Sequence, residues 1–214
     1  MVTQLTLHHC PQSRSTGVLA LLGELKAPFE LHAMNMKQGE NRAPAYLAIN
    51  PLGKVPAITH EGALVTEQVA IYLYLADLFP QAGLAPAIGD PLRGPYLRWI
   101  AYYGSSFEPA VIDVAMKREP APPQMSAYGD FDSMLGTLVD ALRKGPYLLG
   151  DRLSAADILW ATALKWTTGF KLVPELPEIE AYLARMWDRP AFARITESDA
   201  ALAEAHKAAV LAAG

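Results

Sequence analysis

The chain has 214 residues, of which 51% are hydrophobic and 19% charged, and its formal net charge at pH 7 is −4. This length suffices for one large domain or two small ones with a sizeable core, and the composition excludes a disordered chain. With one cysteine, Cys10, and five histidines, neither an intramolecular disulfide nor a four-ligand zinc site is expected. The pI of about 5.7 argues against a nucleic-acid-binding surface. No apolar run approaches the ~18–20 residues of a membrane span, and residues 1–7 lack signal-peptide features, so we expect a cytoplasmic protein.

Strand and helix patterns alternate over the first eighty residues. Short apolar runs predict strands at residues 3–8, 29–33, 55–59 and 62–65. Helical spacing of apolar residues follows the loop at 10–16 and recurs over residues 67–79, with one weak helical turn at 44–48. This alternation predicts a small α/β domain over residues 1–80, with a partly parallel sheet.

Beyond residue 80 the pattern changes to helix alone. Residues 81–91 are rich in Pro and Gly and are typical of a linker. Helical patterns then cover residues 92–113, 131–143, 153–164, 178–187 and 191–213. The third of these opens with Ser154 and Asp157 at capping-box spacing, which is a structural motif and not a catalytic pair. The sequence therefore predicts an all-helical domain over residues 92–214.

Four segments within this organisation carry a specific pattern: SRSTGVLALL at 13–22, YLAINPLGKVPAI at 46–58, TEQVAIYLYLAD at 66–77 and YLLGDRLSAADILWA at 147–161. Together they resemble the cytosolic glutathione S-transferase family over essentially the whole chain. The third and fourth segments are closest to the bacterial beta class, while the spacing from Lys54 to Gln68 also suits the theta class. The resemblance implies a thioredoxin-like glutathione-binding domain followed by a helical domain.

The resemblance assigns glutathione contacts to two of these segments. It implies a cis bond between Val55 and Pro56, which would leave the Val55 backbone facing outward to pair with the cysteinyl unit as an added strand does; a plain strand-entry proline is the alternative. Glu67 and Gln68 begin a helix, where free N–H donors favour a carboxylate, so they are candidates for the γ-glutamyl unit. Acidic residues are also common at helix starts without any such role.

A cation or amide is then needed for the glycyl carboxylate. The candidates are Lys54, Asn41 and Lys37. A lone surface lysine is usually only a solvated charge, so these assignments depend on the resemblance.

The turn before the first helix is predicted to carry the chemistry. A thiol with a pKa near ~8.5 becomes a thiolate more readily beside a hydroxyl donor and the positive end of a helix. His8 and His9 stand where some classes have a tyrosine. An alignment without gaps sets Ser13 opposite the theta-class serine, so Ser13 is the favoured donor, with Ser15 as a further candidate. Either serine could equally be a helix N-cap.

Cys10 supports a competing hypothesis. The sequence Cys10-Pro11-Gln12-Ser13 is a one-thiol form of the C-x-x-C redox turn. A cysteine near a helix start could have a depressed pKa and form a mixed disulfide with glutathione. It could also be a small buried residue at a strand end. The choice between Ser13 and Cys10 decides between transferase and thiol-disulfide chemistry.

The helical domain is expected to supply a pocket for an electrophile. Its candidate lining residues are Tyr103, Phe107, Met116 and Trp166. Aromatic residues at helical spacing are also common in cores. Beta-class enzymes carry an active-site histidine near the position of Ser106, Phe107 and Glu108, so this departure weakens the case for beta-type thiol chemistry.

The resemblance thus implies a transferase that joins the glutathione thiolate to small hydrophobic electrophiles. Glutathione would be a co-substrate, no metal is expected, and a homodimer is implied. The alternatives are a glutathione-dependent thiol-disulfide oxidoreductase using Cys10, and a non-catalytic binding module.

Overall fold

In a computed structural model, which describes residues 4–213, a mixed sheet forms the centre of the N-terminal region. Its strands are β1 (Leu5–His9), β2 (Glu30–Ala33), β3 (Ala57–His60) and β4 (Ala63–Val65), in the spatial order β2–β1–β3–β4. β1 is parallel to β2 and antiparallel to β3, and β3 is antiparallel to β4. The predicted α/β domain with a partly parallel sheet is confirmed. The first residue of the predicted strand 3–8, Thr3, lies outside the described residues.

The helices follow the predicted order. Their bounds are α1 Ser15–Leu25, α2 Pro44–Leu47, α3 Gln68–Leu78, α4 Arg93–Tyr102, α5 Glu108–Ala115, α6 Phe131–Leu142, α7 Ala155–Gly169, α8 Pro177–Trp187 and α9 Pro190–Ala213. A π-helical stretch, Tyr103–Phe107, joins α4 to α5, so the predicted helix 92–113 contains a local change of winding. None of the described helices is both long and apolar enough to cross a membrane.

The chain forms two compact units. One runs up to Leu75 and also includes the residues from Arg189 onward, and the other is Ala76–Asp188. The C-terminal helix α9 therefore groups with the sheet, whereas the predicted division placed all of 92–214 in the helical domain.

Packing of α9 on α1 explains this difference. The Arg189 guanidinium donates two hydrogen bonds, of 2.8 and 2.6 Å, to the Glu24 carboxylate. Gly23 makes room for the helix, because a Cβ there would lie 3.3 Å from the Ala191 Cβ. These contacts join positions far apart in sequence, so the periodicity of α9 alone could not indicate its partner.

The helical unit has a core around Trp160, whose ring packs against Trp99, Tyr103 and Phe107. The predicted capping box at the start of α7 is confirmed. The buried Asp157 carboxylate accepts hydrogen bonds from the backbone N–H groups of Leu148 and Ser154, at 2.8 and 2.9 Å. Burial nevertheless raises the pKa of Asp157 to about 6, since desolvation penalises the charged form. The role of this carboxylate is to fix the start of α7.

Candidate functional site

The turn between β1 and α1 has an unusual backbone. Gln12 adopts the left-handed conformation with φ 56°, which costs free energy for a residue with a Cβ. Helix α1 begins at Ser15 with Arg14 as its N-cap. Ser13 is therefore not the N-cap, although its hydroxyl still accepts a hydrogen bond from the Ser15 N–H at 3.2 Å. Such outliers are retained where the surroundings fix them, often at functional sites.

Two serine hydroxyls of this turn are in direct contact. The Oγ atoms of Ser13 and Ser15 lie 2.7 Å apart. The Ser13 hydroxyl also donates to the Cys10 carbonyl at 2.7 Å. Ser13 is half-buried, whereas Ser15 is fully buried. Of the two residues, Ser13 is the one with exposed surface.

Two buried residues, His9 and Asp199, continue the contacts of Ser15 and were given no role in the site by the sequence analysis. The buried His9 ring places Nδ1 2.8 Å from the Ser15 Oγ. Its Nε2 lies 3.0 Å from Oδ1 of Asp199 on α9, although the N–H is not aligned with that oxygen as in an ordinary hydrogen bond. The histidine is thus held between a serine and a carboxylate.

Asp199 also holds the turn itself. Its Oδ2 accepts the backbone N–H of Gln12 at 2.8 Å and the Thr16 hydroxyl at 3.0 Å. Burial on its own would raise the pKa of Asp199, but the neighbouring His9 ring and the hydrogen bonds from Gln12 and Thr16 hold it below its ordinary value. No local sequence signal indicates this contact, because Asp199 is 187 residues from Gln12.

Cys10 lies on another side of the same turn. A small cavity is lined by Cys10, Pro11, Gln12, Asn35, Met36, Lys37, Ala203 and His206. Burial raises the pKa of the Cys10 thiol, and Asp199 and Glu40 add to this. The Met36 backbone and Lys37 oppose the shift without reversing it. The direction of this shift is opposite to that of a redox-active cysteine, whose pKa is depressed.

The segment of residues 50–56 is fixed by side chains close to it in sequence. The Lys54 carbonyl accepts hydrogen bonds from the Tyr46 hydroxyl at 2.6 Å and the Asn50 amide at 2.9 Å. The buried Asn41 amide donates to the Gly53 carbonyl at 2.8 Å. Asn41, a candidate for the glycyl carboxylate, thus uses its amide to hold the segment. The Lys54 side chain is exposed.

Val55 lies near the end of this segment, just before the inner strand β3. The bond between Val55 and Pro56 is cis, as the resemblance implies. Within residues 4–213, the Val55 backbone has no hydrogen-bond partner. The pairing of His8 with Ala57 places Val55 beside the end of β1, where the turn of Cys10 begins. A strand-like ligand could therefore pair with Val55 and reach the serines.

The start of α3 lies near the same turn. The Gln68 amide is 3.4 Å from the Arg14 carbonyl. Glu67, just before the helix, is exposed and has φ 63°, so a second residue of this region adopts a left-handed conformation. The turn of residues 10–16 therefore lies next to both the Val55 backbone and the start of α3.

The four candidates for the electrophile pocket are in different environments. Tyr103 and Phe107 are buried beside Trp160 in the helical core. Met116 is 63% exposed and Trp166 is half-buried, stacking edge-on with Phe170. The first two are therefore core residues, in keeping with the alternative weighed for aromatic residues at helical spacing. Among the described residues no cluster of three or more His, Cys, Asp or Glu could hold a metal ion.

Comparisons with known proteins agree with this geometry. Residues 3–77 match the model of the glutathione S-transferase N-terminal domain, and residues 115–185 match that of the C-terminal domain. The Escherichia coli O157:H7 protein glutathione S-transferase GstA is 30% identical over 72% of this chain and 78% of its own.

Solved structures give the same result. A glutathione transferase from Methylococcus capsulatus superposes with a TM-score of 0.77 at 31% identity, covering 92% of this chain and 98% of its own. A sphingomonad glutathione S-transferase, solved with glutathione, has a TM-score of 0.75 at 29% identity, covering 91% and 98%.

Proposed function

This chain belongs to the glutathione S-transferase family, and from that premise we propose that it joins the thiolate of glutathione to small hydrophobic electrophiles, with Ser13 stabilising the thiolate. The proposal is carried by the half-buried Ser13 in the turn after β1, together with the Val55 backbone, which has no hydrogen-bond partner among the described residues. A strand-like peptide paired with Val55 would bring its cysteinyl sulfur toward the Ser13 hydroxyl.

Ser13 suits the role because its hydroxyl can donate to a bound thiolate in place of its acceptor in the ligand-free protein. In the ligand-free protein the hydroxyl donates to the Cys10 carbonyl. A neighbouring thiolate is a stronger acceptor than a neutral carbonyl, so the hydroxyl would turn to it. A hydrogen bond to the charged form of a thiol lowers its pKa.

The other contacts of glutathione follow from the same pose. We propose that the Val55 backbone pairs with the cysteinyl unit, and that Glu67 and Gln68 bind the γ-glutamyl ammonium and carboxylate. Lys54 and Lys37 are the cations proposed for the glycyl carboxylate, while Asn41 acts by holding Gly53. A sphingomonad relative solved with glutathione supports the choice of ligand.

The raised pKa of Cys10 argues against the oxidoreductase alternative. A thiol that is protonated at neutral pH attacks a disulfide slowly. Homodimer formation and a cytoplasmic location are proposed on family grounds alone.

The test is steady-state conjugation of glutathione to an activated chloroaromatic electrophile. Ser13→Ala should lower kcat by about tenfold to a hundredfold, as expected for loss of one charge-assisted hydrogen bond. The matched control is Ser198→Ala, since Ser198 is exposed on α9 and bonds only the Ile195 carbonyl. Equal activity of the two variants would overturn the assignment of Ser13, and an inactive wild-type protein would overturn the proposed function.

A further inference from the structure

Four polar side chains form a continuous line from the accessible edge of the turn into the protein. The Ser13 and Ser15 hydroxyl oxygens are 2.7 Å apart. The Ser15 oxygen is 2.8 Å from His9 Nδ1. On the far side of the ring, His9 Nε2 is 3.0 Å from Asp199 Oδ1. Each separation is short enough for a proton or a charge to be passed to the next group.

The inner part of this line is closed to water. Ser15 and His9 have no exposed surface, and Asp199 is 6% exposed. Ser13 is the member at the outer end, where a ligand can reach it. Any proton that reaches the histidine from a bound ligand must therefore pass through the two hydroxyls.

The carboxylate determines which ring nitrogen of His9 carries the proton. Nε2 lies 3.0 Å from the Asp199 carboxylate, whose negative charge favours a proton on that nitrogen over a lone pair. With its proton on Nε2, the ring presents the Nδ1 lone pair to Ser15. In that state Ser15 can donate to His9. Ser13 donates to the Cys10 carbonyl in the ligand-free protein, and its proton can turn to the Ser15 oxygen 2.7 Å away.

We propose that this line is a proton relay that deprotonates glutathione, with His9 as the acceptor at its inner end. The inference rests on the proposed function, because it concerns the same thiol. The sulfur loses its proton to Ser13 Oγ, Ser13 passes its own proton to Ser15, and Ser15 passes its own to His9 Nδ1. Each hydroxyl gains one proton and gives one away, so the products are a thiolate and an imidazolium paired with Asp199.

After the transfer, each hydrogen bond along the line donates toward the sulfur, which stabilises the thiolate. The imidazolium Nδ1–H now donates to Ser15, Ser15 donates to Ser13, and Ser13 donates to the sulfur. Chains of hydrogen bonds with one direction strengthen each other. His9 and Asp199 do not touch the sulfur and are positioning residues that act through the serines.

Other titratable groups surround the turn and bear on its protonation. They are Cys10 in the turn, Lys37 and Glu40 in the segment after β2, and His206 on α9. Lys37 and Glu40 are exposed and of opposite charge. The inner end of the line faces Asp199, which makes this carboxylate the partner that stabilises a charge on His9.

The wild-type protein alone provides the decisive experiment. Thiolate formation is measured by ultraviolet absorbance as glutathione is added at neutral pH. Proton release is measured by titration calorimetry in two buffers that differ in ionisation enthalpy. The relay retains the thiol proton on His9, so the protons released should be far fewer than the thiolates formed. Release of about one proton per thiolate would overturn the relay while leaving the transferase proposal intact.

Two variants, His9→Asn and a matched control, test the relay further. His9→Asn keeps an amide beside Ser15 but cannot accept a proton, so thiolate at neutral pH should fall by about tenfold, and whatever forms should release its proton to buffer. Glu24→Gln is the matched control, since it breaks a contact between α1 and α9 without touching the line, and it should retain the wild-type ratio. If His9→Asn does not fold, the wild-type ratio still decides. Absence of thiolate in the wild type would remove the proposed function and the relay together.

Discussion

The segment of residues 50–56 and the turn of residues 10–16 face the same proposed ligand but are held in different ways. The segment is fixed from nearby in sequence, by the side chains of Asn41, Tyr46 and Asn50. The turn is fixed by Asp199, which lies on the C-terminal helix. The segment proposed to bind glutathione is therefore held by local contacts, whereas the turn proposed to carry the chemistry depends on a contact from the other end of the chain.

Asp199→Ala should have the largest effect of the variants that test this difference, on both stability and activity. It would leave the Gln12 N–H and the Thr16 hydroxyl without their acceptor, which we expect to cost about 2–4 kcal/mol of unfolding free energy. Urea unfolding measures this loss. Activity should fall through kcat more than through KM for glutathione, because residues 50–56 are untouched. A change confined to KM would contradict the separation of the two regions.

The same carboxylate makes a pH-dependent contribution to stability. Its pKa is held below the ordinary value in the folded protein, so the unfolded chain binds its proton first as the pH falls. The stabilisation is therefore complete above about pH 4 and is lost as the pH drops through the folded-state pKa. Unfolding curves of Asp199→Ala should be flatter with pH in this acid range than those of the wild type.

Gly53→Ala tests the locally held segment. Gly53 has φ 60°, and a Cβ there would lie 2.7 Å from the Asn41 carbonyl oxygen. Both the strain and the clash should destabilise the protein, by about 1–3 kcal/mol, and should weaken glutathione binding measured by calorimetry. Gly39→Ala is the matched control, because Gly39 has φ 78° with open space around it. If the control loses as much binding, the Asn41 contact has no special role.

Substitution of Cys10 should have the smallest effect on the rate of conjugation. Because burial raises the pKa of Cys10, alkylation by iodoacetamide at neutral pH should be slower than for an unperturbed thiol. Cys10→Ala should retain transferase activity within about threefold. Fast alkylation at neutral pH, or loss of activity in the variant, would restore the oxidoreductase hypothesis.

The same contrast explains how much could be predicted from the sequence. The capping box of Ser154 and Asp157, the α/β domain with its partly parallel sheet and the cis bond at Pro56 depend on local patterns or on a family motif, and the structure confirms them. The roles of His9 and Asp199 could not be found in this way. A histidine at the end of a strand is usually a core residue, and a carboxylate on an exposed-looking helix carries no signal for a partner 190 residues away.

The packing of α9 follows the same rule. Its own periodicity predicts a helix, and the helix is observed. Which surface it covers depends on Gly23, Glu24 and Gln12, which belong to the other end of the chain. Sequence patterns indicate an element more readily than they indicate its distant contacts.

The pKa of glutathione bound to the protein tests the central claim most directly. Ultraviolet titration of the thiolate in the wild type should give a value well below the ~8.5 of a free thiol, and Ser13→Ala should raise it by about one unit or more. Cys10→Ala should leave it unchanged. A wild-type value equal to that of free glutathione, or a shift produced by Cys10→Ala and not by Ser13→Ala, would contradict the account.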